Sequence, residues 1–279
     1  MGYSARTNIT RFFVYIALII LFILVIFPIW LLLVNGTRST SEIQQGISLL
    51  PSTHMIDNYN ILTARGLDLP RGFANSLFLA VVSTFITVYV SFLAAYGFVA
   101  DNCRGRQLFR GFVVVLVLIP MQLAIIGYFQ YMSRFGLTDT FASLIFPAVA
   151  AAGAVFFAIQ YFEAIYIKDL VEAGRIDGAS ELGIFHRVMM PIAVPGAVTL
   201  GIFSFIASWN NFFTPFIMIS SIEKYTLPML VQLLRGDVYR TEYGAIYLGL
   251  GITVIPVIII YLIFSRYIIS GIAMGSVKE

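Results

Sequence analysis

Residues 171–191 read VEAGRIDGASELGIFHRVMMP, and the neighbours of this stretch decide how the chain folds. On either side the sequence is oily enough to sit in lipid. The stretch itself gathers Glu172, Arg175, Asp177, Glu181, His186 and Arg187 between two long apolar runs. A polar, glycine-punctuated loop in that place is a surface at a membrane face, positioned to meet another protein. Of the 279 residues, 59% are hydrophobic and 11% charged, whereas soluble domains average about 25% charged. Apolar runs of roughly 18 residues or more with few charges read as transmembrane helices. The expected fold class is therefore an all-α polytopic membrane protein with six spans.

C-terminal to the loop lie a fifth span at about Ile192–Ile219, a polar loop Ser220–Tyr243, a sixth span Gly244–Phe264 and the tail Ser265–Glu279. N-terminal to it, Phe141–Tyr161 is a fourth span with Pro147 and the small-residue run Ala148–Ala154, which suits close helix packing in lipid. The turn Arg134–Thr140 precedes it. A third span, Gly111–Met132, is interrupted at Pro120, and the basic hairpin Asp101–Arg110 leads into it. Phe73–Ala100 is a second span rich in Ser, Thr, Ala and Tyr. The connection Asn35–Gly72 has a short helix expected around Met55–Thr63.

The first span runs from Phe12 to about Val34, roughly 34 Å at the helical rise. It exceeds the ~7–15-residue apolar region of a signal peptide, and no small-x-small cleavage site follows at Asn35-Gly36-Thr37, so it is expected to be a retained anchor. The domain division expected is 1–72, a transmembrane core at 73–265 containing the loop 168–191, and a tail at 266–279.

Six spans put both termini on one side, together with Arg6, Arg11, Arg104, Arg106, Arg110, Lys168, Arg175, Arg187, Arg266 and Lys278. The other side holds Arg38, Arg65, Arg71, Arg134, Lys224, Arg235 and Arg240. The denser basic clusters fall in the first set's short loops, which predicts that the termini and the 171–191 loop are cytoplasmic.

Within the loop, Lys168–Ile176 is helical in character and Gly178 is placed to end that helix in a left-handed cap. Asp177 or Ser180 can accept amide hydrogen bonds at the start of a second helix. Along it Leu182, Phe185, His186 and Met189 form one semi-apolar stripe, and Pro191 marks where the helix stops or bends. Ala173 and Gly174 leave the first helix's backbone approachable. Such a pair of short helices fits a partner's groove or an amphipathic connector on lipid headgroups. Glu172, Asp177 and Glu181 favour protein over anionic lipid.

Several function classes drop out. His54 and His186 fall on opposite expected sides of the membrane, so they share no metal site. The sequence contains no GxxxxGK[ST] phosphate loop, so the chain hydrolyses no ATP unaided. Its single cysteine, Cys103, excludes an intramolecular disulfide framework, and a formal charge of +3 is too small to argue for nucleic acid. A self-sufficient secondary carrier would carry intramembrane carboxylates or an inverted repeat. A membrane-embedded transferase would want acidic residues clustered for a metal; Asp169, Glu172, Asp177 and Glu181 are spaced for a docking loop instead. No catalytic or metal-binding residue is assigned.

The order Glu172-Ala173-Gly174-Arg175-Ile176-Asp177-Gly178-Ala179-Ser180, followed by Phe185 and Pro191, resembles the EAA loop of permease subunits of binding-protein-dependent ABC importers. Gly174 stands where that family often has a second alanine. The six spans, the loop between spans four and five, and the tail Gly275–Glu279 are similar to the maltose-type subfamily that imports carbohydrates. The resemblance implies a type I importer permease fold, with the loop as a coupling helix in a cleft of a cytoplasmic ATP-binding subunit. Glu172, Ala173, Asp177, Gly178, Ala179 and Phe185 would carry that coupling, with Glu172 paired to a basic group of the ATPase.

The partners implied are a second homologous permease, two ATP-binding subunits, an extracytoplasmic sugar-binding protein and membrane lipid, without nucleic acid. No cofactor is expected in this chain, because ATP and Mg would be held by the ATPases. The place implied is a prokaryotic cytoplasmic membrane. Polyol phosphates and other solutes travel through similar frames, so the cargo stays open between these and oligosaccharides.

In the fifth span Trp209, Asn210 and Asn211 sit among Phe205, Phe212 and Phe213. Amides beside aromatic faces suit a sugar's hydroxyls; they equally suit hydrogen bonds between helices, worth about 0.6 kcal/mol each. Gln122 beside Pro120 is a weaker path candidate. The loop with Tyr225, Gln232, Arg235, Asp237 and Tyr239 resembles the segment that reaches into a docked binding protein, and reads equally well as a solvated loop.

Overall fold

The computed structural model describes residues 2–64, 68–100, 105–235 and 241–276, and side chains within these except at 2–10, 121, 234–235 and 265–276. Arg65, Cys103, Arg104, Asp237, Tyr239, Arg240 and Lys278 lie outside the described residues. The described chain is helical: α1 (Gly2–Asn35), α2 (Thr40–Gln44), α3 (Met55–Ala64), α4 (Leu69–Ala100), α5 (Arg106–Leu118), α6 (Met121–Arg134), α7 (Phe141–Val149) and α8 (Ala152–Ile165). Then come α9 (Lys168–Ile176), α10 (Glu181–Ile184), a π-helical turn (Phe185–Met189), α11 (Met190–Trp209), α12 (Phe213–Met218), a 3₁₀ turn (Ile222–Lys224), α13 (Leu227–Arg235) and α14 (Tyr243–Ser276). Among the described residues, five helices are long and apolar enough to cross a membrane, and there is a sixth crossing if α5 and α6 count as one bent span. Helices suit lipid because they satisfy every backbone group internally.

The chain forms two compact units, Met1–Leu69 with Leu230–Ile255, and Pro70–Met229 with Pro256–Glu279. In the first, α1 presents its apolar side chains from Phe12 to Phe27 outward, a surface suited to lipid or to another apolar helix and not to water. Beyond Asn35 the chain is held by side chains. Asn58 donates its amide to the carbonyls of Gly36 (2.9 Å) and Arg38 (3.0 Å). Ser39 and Glu42 form a reciprocal cap at the start of α2. Gly244 lies so close to the Arg38 carbonyl that a Cβ would stand 2.2 Å from it.

The second unit packs α4, α8, the π turn and α11 around Phe92, Tyr96, Ala158, Phe162, Phe185, Met189 and Ala193. Small residues allow the close approaches: a Cβ on Gly196 would stand 2.5 Å from the Tyr161 ring. Another cluster joins Ile125, Met132, Met218, Ile219 and Met229.

Three spans differ from their sequence outlines. The third turns through 99° between α5 and α6. Ile119 is extended, because a residue before proline avoids the helical region, and Pro120 is extended as well. The fourth pauses at 150–151, where Thr87 of α4 donates to the Ala148 carbonyl (3.2 Å). The fifth starts eleven residues early, at Glu181 rather than Ile192, and ends at Trp209 rather than Ile219. Pro191 therefore does not stop the second loop helix. The π turn ahead of it, with the Met190 amide bonded to the Phe185 carbonyl five residues back, changes the register in which a proline would leave a carbonyl unpaired. At the C-terminal end the helix continues past Phe264 to Ser276, through most of the segment expected as a tail.

Candidate functional site: the helical elbow at Gly178

The elbow is built from α9, the four-residue turn Asp177–Ser180 and α10. Helix α9 ends where Gly178 takes φ +78°, a left-handed conformation that is cheap only without a Cβ. The Ala179 amide returns to the Gly174 carbonyl at 3.0 Å, closing the turn. Ser180 caps α10, its hydroxyl accepting from the Gly183 amide at 3.2 Å; Asp177 caps the end of α9 instead. Gly174 faces the second helix, and a Cβ there would lie 3.2 Å from Ile184. Its missing methyl serves the elbow's own closure as well as keeping backbone approachable.

Beneath the elbow the anchor is apolar. Val171, Ile184, Phe185 and Met189 are all fully buried in the core cluster. The buried face thus comprises Ile184, Phe185 and Met189, while Leu182 and His186 of the expected stripe point outward. Phe185 and Met189 stand at i,i+4 spacing with Ile184 beside them, while Leu182 and His186 form a separate i,i+4 pair on the outer face. Phe185 packs edge-on to Tyr89 and tilted on Tyr96, with centroids at 6.2 and 5.6 Å. It fixes the elbow from below and offers nothing to an outside partner.

A polar latch joins the elbow to α4. Arg175 Nε donates to Glu181 Oε1 at 2.7 Å, across the turn. The hydroxyl of Tyr96, a residue only 4% exposed, donates to Glu181 Oε2 at 2.7 Å. Arg175 also reaches the Ala100 carbonyl at 3.3 Å, the end of the same helix. Hydrogen bonding to Glu181 holds the Arg175 guanidinium above its ordinary pKa. Alongside, His186 Nδ1 lies 2.7 Å from the Leu182 carbonyl, so that nitrogen carries the proton, and Nε2 accepts from the Tyr89 hydroxyl at 3.2 Å.

What the elbow presents outward is a mixed cap. Ile176 is 86% exposed and Leu182 is 56% exposed, and Ala173, Asp177, Gly178 and Ala179 are exposed around them. Glu172 is also exposed, in an i,i+4 pair with Lys168 at 3.2 Å, a type of link worth only about 0.3–0.5 kcal/mol and easily exchanged for a partner's cation. Ile176, Leu182 and Tyr96 were not among the sequence-expected site residues. Ile176 was legible as the one bulky apolar side chain in Glu172–Ser180. Tyr96, 85 positions from Glu181, was not.

The other candidates fall in different surroundings. Trp209 is 1% exposed, stacked on Phe205 at 5.9 Å and edge-on to Phe73 at 5.4 Å, so its ring is core and no open stacking face. Asn210 and Asn211 stand at the end of the span and not in its middle. Asn210 closes α11 and is exposed, and the Asn211 side chain accepts from the Thr214 amide at 3.2 Å, starting α12. Gln122 is exposed in the first turn of α6.

After α12, Asp139 clamps the chain. Its Oδ1 accepts from the amides of Ser220 and Ser221, both at 2.9 Å. Oδ2 accepts from the Ser221 hydroxyl and from Lys224. Asn75 donates to the carbonyls of Glu223 (2.9 Å) and Tyr225 (3.0 Å). Tyr225 is half-buried against the second cluster, Gln232 is exposed on α13, and Arg235 is the last residue of that helix.

Three comparisons bear on this arrangement. The family model for the inner membrane component of binding-protein-dependent transport systems matches residues 87–273. The arabinooligosaccharides transport system permease protein AraQ of Halalkalibacterium halodurans is 33% identical over 257 residues, 91% of each chain. The trehalose/maltose transport system permease protein MalG of Thermococcus litoralis is 30% identical over 273 residues, 96% of this chain and 97% of that one. Among solved structures, a chain from a bacterial ABC transporter involved in the import of the acidic polysaccharide alginate superposes with a TM-score of 0.82. It covers 96% of this chain and 99% of that one at 22% identity, a likeness of fold.

Proposed function

This chain belongs to the family of inner membrane components of binding-protein-dependent transport systems, and from that premise we propose that it is a permease subunit of an ATP-driven carbohydrate importer. The observation that carries the reading is the elbow: two helices locked at Gly178, anchored by Phe185 and Met189, with Ile176, Leu182, Ala173 and Ala179 held outward. A rigid, mixed apolar and charged knob is suited to a partner's cleft. Its partner is an ATP-binding subunit on the cytoplasmic side, where both termini also lie, and closure of two such subunits on ATP moves the elbow and switches the bundle between inward and outward access. ATP and Mg stay with those subunits. Glu172 exchanges Lys168 for a cation of the ATPase.

The carbohydrate reading is supported by relatives whose names specify arabinooligosaccharides and trehalose or maltose. A second, homologous permease completes the path. Asn210 and Asn211, at the break between α11 and α12, face the passing sugar, with Gln122 as a lesser contributor. The segment from Tyr225 through Gln232 and Arg235 to Tyr239 meets the extracytoplasmic binding protein.

The test is Ile176→Asp and Glu172→Lys, each reconstituted with the ATP-binding subunits and the binding protein. Both variants are expected to insert normally and to lose uptake of arabino- or malto-oligosaccharide while ATP hydrolysis persists or uncouples. Normal sugar uptake by Ile176→Asp would remove the elbow from the coupling path. Uptake of none of a panel of oligosaccharides by the unaltered complex would remove the carbohydrate.

A further inference from the structure

After α1 ends at Asn35 the chain runs outward through α2 and then returns. The indole Nε1 of Trp30 donates to the carbonyl of Leu49 at 3.0 Å. Trp30 lies five residues before the helix end, about 7.5 Å down its axis, so Leu49 has come back to a level inside the span. The return is pinned at several points. Arg38, 7% exposed, donates to the Gly46 carbonyl at 3.0 Å. The Ser52 amide donates to Thr37 Oγ1 at 2.9 Å, and the His54 amide to the Thr37 carbonyl at 2.9 Å.

These bonds leave the segment's apolar side chains no way into a core. Ile47 is 79% exposed and Leu50 75% exposed, with Leu49, Met55 and Ile56 also outward. Between Glu42 and Asp57 the sequence contains no Asp, Glu, Lys or Arg. An uncharged strip of large aliphatic side chains facing water would be a costly surface, at about 25 cal/mol for each Å² exposed.

We propose that Gly46–Ile56 is an interfacial apron that dips Ile47, Leu49 and Leu50 into the lipid headgroup and upper acyl layer around the end of α1. The occupant is lipid because the strip is continuous, through the Trp30–Leu49 bond, with a helix that presents its apolar side chains to the bilayer. Tryptophan at a helix end marks the interfacial belt where such a ring is most stable, and the apron meets the helix at that residue. The absence of charge fits the acyl boundary and sets this segment apart from basic surfaces that hold anionic headgroups. By this reading the apron fixes the depth and rotation of α1, as interfacial anchors do. The proposed function enters only in naming the leaflet as the one facing the binding protein.

The experiment places a single cysteine at Leu50, and separately at Ile47, in a Cys103→Ala chain reconstituted into nanodiscs with its co-purifying subunits. Each cysteine carries a bimane. Quenching is compared between nitroxide on lipid, near the top of the acyl chain, and a water-soluble nitroxide. Lipid-borne nitroxide is expected to quench both sites strongly and the aqueous one weakly, with blue-shifted emission unchanged by added binding protein. Strong aqueous quenching with little lipid quenching would overturn the proposal in favour of a solvated loop. Protection from both quenchers, or protection that appears only with the binding protein, would overturn it in favour of a protein interface. Nitroxide lipid occupies both leaflets, so the readout is indifferent to orientation, and its failure is separable from failure of the importer reading.

Discussion

Replacing Tyr96 by phenylalanine isolates the latch under the elbow. The hydroxyl is the only atom removed, it donates 2.7 Å to Glu181 Oε2, and Tyr96 is buried and lies beneath the surface that a partner would touch. A hydrogen bond to a charged group is worth about 1.5–3 kcal/mol. The Glu181 side chain is 56% exposed, so water replaces part of what is lost, and about 1 kcal/mol is the reasonable cost. That corresponds to roughly a fivefold fall in the population of the poised elbow. The sign should reverse without the acceptor. In a Glu181→Ala background the Tyr96 hydroxyl is left buried without that partner, an arrangement that costs about 1–3 kcal/mol, so Tyr96→Phe there is neutral or stabilising. The assay is a double-mutant cycle read in two ways, as the thermal unfolding midpoint of the complex and as ATP hydrolysed per sugar transported in proteoliposomes. Tyr96→Phe alone is expected to lower the first and raise the second. An equal effect of Tyr96→Phe in both backgrounds would refute the latch, because the hydroxyl and the carboxylate would then be acting independently.

Gly196→Ala places a methyl about where the Tyr161 ring already sits; that ring is itself held by Phe157 and Phe92, so overpacking should cost about 1–3 kcal/mol. A lower melting temperature that Tyr161→Leu restores would check it, and an unchanged melt would show that the α8–α11 contact is looser than described. Asp139→Ala removes the acceptor for two amides, a hydroxyl and an ammonium and should cost about 2 kcal/mol, seen as faster proteolysis at Ser220–Lys224. The Ser221 hydroxyl, the amides of Ser221 and Ser220, and Lys224 hold the Asp139 carboxyl well below the usual carboxylate range. The linked stability is therefore full above the unfolded value of about 3.9 and is lost as pH falls below it towards the folded value, a loss absent from Asp139→Ala.

Much of the fold was legible because lipid is a simple solvent. A chain that cannot share its backbone hydrogen bonds with water forms helices wherever it is apolar for long enough. The runs at Phe12–Val34, Phe73–Ala100 and Gly244–Phe264 each fall inside α1, α4 and α14. The short helix expected around Met55–Thr63 is α3, Met55–Ala64. Gly178 was legible for a similarly local reason, since a left-handed turn between two helical stretches calls for a residue without a Cβ. Hydropathy could not place Asn210 and Asn211. The apolar run continues to Ile219, but the helix ends at Trp209, where Asn210 closes α11 and the Asn211 side chain accepts from the Thr214 amide.

The sequence by itself determined that the chain crosses a bilayer and that Val171–Pro191 interrupts the crossing with a jointed polar loop. Both follow from composition and spacing, which are local quantities. Only the tertiary structure decided which side of the second loop helix is inside. Packing against α4 and α8 puts Ile184, Phe185 and Met189 in the core and leaves Leu182 and His186 of the expected stripe outward. Tertiary structure also paired Tyr96 with Glu181, residues 85 positions apart. The physical reason is that a helix's phase and a buried hydroxyl's acceptor are set by what packs against them, and that information is spread over segments no single stretch contains.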